Sequence, residues 1–400
     1  MNKIYKTAIV GGGASGLMTA VELLTGKNAL TGSDVIILER TDRVRKKLAS
    51  TGNGQGNLTN ENFGVEFYHG DKRFVEEFIE LANKTDIKEY LYSLGIPLCT
   101  LKDGKMYPLS RQASAVVDVL RAYLDSKGCV TVTGESVTQI VRKKDFLLKT
   151  QNNSYVAQSV VLAFGGAAAK QFGTDGTSYN LAKEFGHKIT KIYPSLVQLK
   201  TQTDLIRGLK GLKEVAKVTA LKNGVPVASA IGDILFTEYG VSGSSVFQVS
   251  AYLNGTEDES LKIEFLPELS QKSVTVMLKN RLDCNFMPPT EVLCCMLNKR
   301  VGQAILKTVK TITAETVSYA LKNFTLKVTG NLGFNYAQVT KGGVSTEFIN
   351  PKTFESKLQK GLYVIGEALD VDGDCGGYNV TFAFVSGILS ARGIKATCTK

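Results

Sequence analysis

Three glycines, Gly11, Gly13 and Gly16, form a G-x-G-x-x-G array at the very start of the chain. An apolar run over residues 7–10 leads into them. Leu17, Ala20, Val21 and Leu24 follow at helical spacing. In this strand–turn–helix context each glycine has a physical task. Gly11 permits a tight turn, Gly13 lets backbone approach a pyrophosphate, and Gly16 allows close helix–strand packing. The helix N-terminus then offers free N–H groups and a positive dipole to phosphate. A continuous apolar run over 34–38 completes a βαβ unit of the buried, parallel kind. A chain that opens this way is expected to be α/β, with a Rossmann-like nucleotide-binding sheet.

Glu39 ends the second strand, 23 residues beyond Gly16. A carboxylate there accepts from an adenosine ribose and disfavours a 2′-phosphate, which points to FAD or NAD rather than NADP. Residues 40–60 read as a long Gly- and Asn-rich loop able to wrap a cofactor. Helices are expected over 72–94 and 114–126, with a further sheet strand over 129–133. Short strands at 138–142, 146–150 and 155–157 then form a β-meander, followed by a continuous apolar strand at 160–164. Residues 192–335 change character. Strands at 215–220, 234–237 and 262–265 mix there with helices at 272–282 and 291–299. A last parallel strand at 361–365 and a closing helix at 379–392 return to the first pattern. The expected organisation is one discontinuous domain, 1–191 with 336–400, interrupted by a β-rich insert with a helical part, 192–335.

The chain end separates FAD from NAD. A simple dehydrogenase continues with regular βα units, whereas here a meander interrupts them. Gly366 and Glu367 follow the last strand, where glycine lets backbone approach a ribityl chain and an acid bonds its hydroxyls. Asp370, Asp372, Gly373 and Asp374 lead to Gly376, Gly377, Tyr378 and Asn379 at a helix start. A Gly-Gly turn there presents N–H groups and dipole to the pyrimidine edge of a flavin.

Composition excludes other classes. Seven Cys, an odd number with no C-x-x-C, read as reduced thiols of a cytoplasmic protein. Two His and no Trp are a poor inventory for a transition-metal site, and no metal cluster is expected. No stretch approaches the ~20 apolar residues of a membrane helix. Lys+Arg number 48 against 37 Asp+Glu, a net charge of +11. The basic runs, Arg43 with 45–47 and 142–144, are short and lack interleaved aromatics, so nucleic acid is disfavoured as a partner.

The chain resembles the bacterial NAD(P)/FAD-dependent flavoproteins that include aminoacetone-oxidase-type and bile-acid-reductase-type enzymes. The matching segments are 10–16, 47–60, 107–110, 236–243, 341–344 and 361–379. The most specific is Gly-Leu-Tyr, then Gly-Glu, Asp-Val-Asp-Gly and Gly-Gly-Tyr-Asn. The chain departs from the family pattern at Gln55, Gly56, Ser244 and Cys375. The resemblance implies a discontinuous FAD domain with an inserted β-rich domain and a small helical one.

Resemblance and position together assign the FAD roles. Gly11, Gly13, Ala14, Ser15 and Gly16 cradle the pyrophosphate. Glu39 and Arg40 hold the adenosine end, and Val137 lies beside the adenine through its backbone. Lys47 and Asn57 approach the phosphates or flavin. Gly366 and Glu367 meet the ribityl chain. Gly377, Tyr378, Asn379 and Val380 lie at the isoalloxazine end. No catalytic residue stands out. His187 is expected to cap a helix or pack at the surface. Cys375 is expected to be a small packing residue, because no second thiol stands near it in sequence. The expected function is an FAD-dependent oxidoreductase passing a hydride between flavin and a small organic substrate. NAD(P)H, binding transiently, or oxygen is the redox partner. The alternatives are an RNA-associated flavoprotein of the tRNA-modifying kind and a non-catalytic flavin sensor.

Overall fold

The computed structural model describes residues 3–44, 46–253, 258–284 and 287–398. The chain divides into two compact units, Met1–Tyr193 with Val339–Lys400, and Pro194–Gln338.

The first unit is organised by a seven-stranded sheet. Strands β1 (Ile4–Val10), β2 (Val35–Glu39), β3 (Val130–Thr133), β4 (Gln139–Arg142), β5 (Phe146–Lys149), β6 (Ser154–Leu162) and β7 (Leu362–Val364) make it up. The order is β3-β2-β1-β6-β5-β4, with β7 also pairing β6. Strands β3, β2, β1, β6 and β7 run parallel. The two runs expected at 155–157 and 160–164 are one strand. Its first half pairs antiparallel with β5 and its second half parallel with β7. The side-chain pattern changes along β6 because its surroundings do, from half-exposed meander to a fully buried end.

Helix α1 (Ala14–Leu23) is buried from Ser15 onward. It packs against the C-terminal helix α2 (Tyr378–Cys398), where a Cβ added to Gly387 would stand 2.6 Å from the Ser15 carbonyl oxygen. Helix α2 runs past the expected end at 392 because its last turn has work there. The Lys395 ammonium donates to the Glu22 carbonyl at 2.8 Å and the Thr25 carbonyl at 3.0 Å, which covers the acceptors left at the end of α1. The segment expected as a loop over 40–60 is more ordered than its composition suggests. Lys46–Ala49 is a helical turn, residues 56–60 are buried, and Thr59–Asn60 pairs with Lys105–Pro108.

The second unit is a closed six-stranded barrel. Its order is Leu199–Thr201, Gly240–Ser242, Val225–Phe236, Lys213–Lys222, Glu259–Phe265 and Phe324–Asn331. Alternating Leu261, Ile263 and Phe265, with Val218, Ile234 and Phe236, fill its core. The two longest strands turn at Asn223-Gly224, whose φ values of 50° and 76° are those of a type I′ hairpin. Helices Gln271–Asp283, Lys299–Leu306 and Ala314–Lys322 belong to this unit. The helix expected at 291–299 is absent. A single 3₁₀ turn, Pro289–Glu291, is followed by Cys295 at φ 63°, and the helix starts only when Asn298 caps the Arg300 N–H. The chain is therefore an α/β Rossmann-like fold interrupted by a β-rich part that carries helices.

Candidate functional site

The carboxyl ends of the parallel strands are where an open α/β sheet binds ligands. Gly11, at φ 111°, follows β1, and an added Cβ would strike the Ala163 carbonyl at the end of β6. A Cβ on Gly16 would strike the Gly11 carbonyl. Both positions therefore require glycine for packing alone. Gly13 differs. Its φ is −80°, and a Cβ there would meet nothing within 4 Å. The space over Gly13 is open.

No side chain caps α1. The N–H groups of Gly13, Ala14, Ser15 and Gly16 find no acceptor among the described residues. Four orphan donors beside an open cradle fit a dinucleotide pyrophosphate. Next to them, Glu39 Oε2 accepts the Gly12 N–H at 2.8 Å, and Oε1 accepts the Thr41 N–H and hydroxyl, each at 2.8 Å. Arg40 is committed to Asp175 through two bonds of 2.9 and 3.0 Å. The Arg40 guanidinium and the Thr177 donors hold the Asp175 carboxyl well below its ordinary range. Val137 lies in the link between β3 and β4. Gly134 and Glu135 of that link donate to the Thr41 and Glu39 carbonyls, so it runs beside the end of β2. Val137's own N–H and C=O have no partner among the described residues.

The second half of the site comes from the chain end. Gly366, at φ 64°, sits on Ser15, where an added Cβ would lie 2.7 Å from the hydroxyl oxygen. This contact joins the first glycine motif to the last. Glu367 Oε2 pairs with Lys47 Nζ at 2.6 Å, and Oε1 accepts the Thr340 N–H at 2.9 Å. Gly376 and Gly377 both have positive φ, and their backbone presses on Thr59 and Asn60. The Asn57 amide accepts the Gly377 N–H at 3.1 Å. Asn379 locks the turn before α2 by exchanging bonds with Gly373 at 2.8 and 2.7 Å. Its role is thus to shape the loop. The Tyr378 ring stacks on Phe67 with centroids 4.6 Å apart, and its hydroxyl is held protonated by burial. The N–H groups of Tyr378, Asn379 and Val380 again have no acceptor among the described residues.

The two uncapped helix starts have a defined spacing. Helix α2 crosses α1 where Gly387 meets Ser15, and Tyr378 lies nine residues before Gly387. At 1.5 Å per residue that is roughly 13 Å. A ribityl chain with its ring spans such a gap, so the residues present fit FAD.

Sequence reasoning missed Thr340 and Asp175. The Thr340 hydroxyl oxygen accepts the Ala167 and Ala168 N–H groups at 2.8 and 2.9 Å. Thr340 stands just before the Lys341–Val344 motif, and Asp175 sits between Thr174 and Gly176, which were the available signals. His187 is buried, not at the surface. Its Nε2 bonds the Ser356 hydroxyl at 2.8 Å, and its Nδ1 has no partner. His69 Nε2 bonds Asp374 at 2.9 Å. Among the described residues no three His, Cys, Asp or Glu form a metal-sized group. No described helix is long and apolar enough to cross a membrane.

Known proteins resemble this chain. The family described as "HI0933-like protein Rossmann domain" matches residues 5–393. The 3-dehydro-bile acid delta(4,6)-reductase of Clostridium scindens is 33% identical, covering 98% of this chain and 98% of its own length. The ribosomal RNA dihydrouridine synthase of Haemophilus influenzae is 27% identical over 99% of this chain and all of its own length. The solved 3-ketosteroid-delta4-(5alpha)-dehydrogenase of Rhodococcus jostii shares the fold, with a TM-score of 0.51, 13% identity and 98% of each chain covered. A family match across nearly the whole chain, joined to a full-length relative at 33%, makes this protein a member of the HI0933-like Rossmann family of FAD-dependent oxidoreductases.

Proposed function

We propose that this protein reduces a carbon–carbon double bond conjugated to a carbonyl in a small organic molecule, with NAD(P)H as the electron donor. One observation carries this reading. Two full-length relatives with different substrates, a 3-dehydro-bile acid reductase and a dihydrouridine synthase, are named for the same kind of reduction. Uridine and a 3-oxo-Δ4 ring both hold an alkene polarised by a carbonyl. FAD, which the N–H groups of Gly13–Gly16 and of Tyr378–Val380 would hold, would supply hydride chemistry for the β-carbon of such a system, with a proton going to the α-carbon.

The chain's own groups have defined parts in this reading. The N–H groups of Gly13–Gly16 hold the pyrophosphate, with Gly11 shaping the turn beneath. Glu39, Arg40 and the Val137 backbone receive the adenosine end. Glu367 and Gly366 meet the ribityl chain, and Lys47 and Asn57 set the loop facing it. The N–H groups of Tyr378, Asn379 and Val380, at the positive end of α2, favour negative charge on the pyrimidine edge. The sequence has no second G-x-G-x-x-G, so the nicotinamide donor binds without a Rossmann site of its own.

A small substrate is favoured over RNA by the higher identity to the bile-acid reductase. Several surface cations are also already paired, as in Lys210–Glu238, Lys213–Asp233 and Lys299–Glu291, rather than arrayed in a stripe. The second reading, reduction of uridine in RNA, rests on the dihydrouridine synthase likeness.

The test uses the purified yellow protein under anaerobic conditions. NADH or NADPH should bleach the flavin band. A 3-oxo-Δ4 steroid or bile acid should restore it, with the product gaining two hydrogens. Restoration by a ribosomal RNA fragment instead, with salt-sensitive binding, would favour the second reading. Reoxidation by oxygen alone would overturn both.

A further inference from the structure

After β6 the chain stays beside the glycine turn. A Cβ added to Gly11 would meet the Ala163 carbonyl and the Phe164 Cα, so the exit of β6 lies on that turn. Ala167 and Ala168 then give their N–H groups to the Thr340 hydroxyl oxygen, which fixes the root of the segment. Residues 166–169 are buried, whereas 170–178 are half-buried or exposed. The outer part reaches the residues that follow β2. A Cβ on Gly173 would press on the Thr41 methyl, and Asp175 takes both Arg40 bonds.

In the sheet, β1 stands between β2 and β6. At about 4.8 Å between neighbouring strands, the segment spans about 10 Å across the end of β1. That end carries Gly11 and the open space over Gly13. The crossing is lightly held. Among the described residues, the two bonds from Arg40 are the only hydrogen bonds joining residues 170–177 to the chain outside 165–181. The pair is partly exposed, Arg40 at 37% and Asp175 at 32%, so water and salt compete for it. The backbone is left-handed at both ends of the crossing, with φ 61° at Ala169 and 80° at Gly176.

A fixed root, two turning points and one exposed ion pair at the far side are the parts of a hinged closure. We propose that residues 170–177 form a strap that opens and closes over the cofactor cradle, with Arg40–Asp175 as its latch. Closed, the strap stands over the path of a dinucleotide laid from Glu39 across Gly13. FAD enters and leaves only when the latch parts. The strap rests on the placement of FAD in this cradle, and it governs the exchange of FAD rather than the reaction that FAD carries.

The experiment uses the full chain, with and without FAD. In Thr41→Cys/Gly173→Cys the two Cβ atoms would stand 3.9 Å apart, within reach of a disulfide. Oxidised after loading, this variant should keep its flavin absorbance through a dilution and filtration that strips the reduced form. Oxidised before loading, it should fail to take up FAD until a reductant is added. Equal exchange of FAD in the two forms, with the cross-link confirmed by mass, overturns the strap. Asp175→Asn alone should raise the association and dissociation rates of FAD together, each about fivefold, and leave the dissociation constant where it was. Should the cysteine pair fail to fold or to cross-link, Asp175→Asn decides. Unchanged rates reject the latch. Faster release alone, with a weaker dissociation constant, makes Asp175 part of the cradle and rejects it too. A wild type that takes up no FAD overturns the cofactor placement, and the strap with it.

Discussion

The Lys47 ammonium lies 2.6 Å from the Glu367 carboxylate, across a sequence separation of 320 residues. The other oxygen of Glu367 takes the Thr340 N–H, and Thr340 in turn accepts from Ala167 and Ala168. One carboxylate thus ties the early loop, the segment after β6 and the turn after β7 together. Glu367→Gln keeps an acceptor for Thr340 and removes the charge. With both partners partly exposed, it should cost about 1 kcal/mol of stability. Glu367→Ala also strands the Thr340 N–H and should cost roughly 1–3 kcal/mol more. Urea unfolding of the FAD-free proteins checks this. Equal losses for the two variants would show that the lost charge, not the lost acceptor, sets the cost.

Gly13 and Gly16 should fail in different ways. At Gly13 the φ is ordinary and a new side chain enters open space. Gly13→Val should therefore fold, with a melt close to that of the FAD-free wild type, yet purify colourless, because the valine fills the pyrophosphate cradle. Gly16→Val drives a side chain into the Gly11 carbonyl and should not accumulate as folded protein. Circular dichroism and the flavin spectrum separate the two. A fully flavinated Gly13→Val protein would move the cofactor elsewhere.

Glu39 is read as the ribose ligand, but its carboxylate also closes its own loop through Gly12 and Thr41. Glu39→Ala should therefore weaken FAD by roughly 1.5–3 kcal/mol, about ten- to hundredfold. It should also lower the melting point of the FAD-free protein. Titration of that protein with FAD and a melt without FAD measure the two effects separately. An unchanged dissociation constant with a lowered melt would leave Glu39 a purely structural residue.

The parts of the site legible in the sequence are those where backbone geometry admits one residue type. Gly11 and Gly366 combine positive φ with a neighbour where a Cβ would sit, and both stand in recognisable motifs. Partnerships between side chains were not legible. Arg40 meets Asp175 and Lys47 meets Glu367 only because β2, β6 and β7 end at one edge of the sheet. Barrel strands were read too short because exposed Val215, Val225 and Ile231 blur the alternation that marks an inner face. The expected helix at 291–299 had apolar residues at suitable positions. Leu293 and Val292 are indeed buried, but from an irregular segment that Cys295 turns through a left-handed conformation.

His187 makes stability depend on pH near neutrality. The Ser356 hydroxyl oxygen already accepts the Leu358 and Gln359 N–H groups, so its own proton goes to His187 Nε2. The imidazole is then neutral with its proton on Nδ1, and burial holds its pKa below the ordinary value. A depressed folded pKa means the unfolded chain takes up the proton first as pH falls. The stabilisation is complete above about pH 6.5 and is lost as pH falls below it. Between about pH 7.5 and about pH 5.5 the wild type should lose melting temperature that His187→Leu does not. Parallel slopes in both proteins would remove His187 from the account.

Cys375 sits in the turn before α2, beside the donors assigned to the flavin. Burial pushes its thiol up, and the Asp374 and Asp103 charges push the same way. Nearby Lys105 pulls it down without reversing the direction. A raised pKa keeps the sulfur protonated at neutral pH, and the thiolate is the reactive form. Alkylation mapped by mass at about pH 7.5 should therefore label the exposed Cys284, Cys295 and Cys398 first. Cys375 should label only once the pH passes the ordinary thiol value of about 8.5. Lys105→Met should push that onset higher still. The same geometry limits size rather than chemistry at this position. A Cβ on Gly376 would lie 2.8 Å from the Tyr378 ring, and one on Gly377 would lie 2.6 Å from the Thr59 carbonyl oxygen. The turn has no room to spread. Cys375→Ser should therefore retain FAD and most of the rate of flavin reduction, whereas Cys375→Phe should disturb both by forcing the turn away from α2. Flavin spectra and anaerobic reduction kinetics of the two variants decide the matter. Should Cys375→Ser keep a reducible flavin yet lose turnover, the thiol takes part in the chemistry and its role as a small packing residue is wrong.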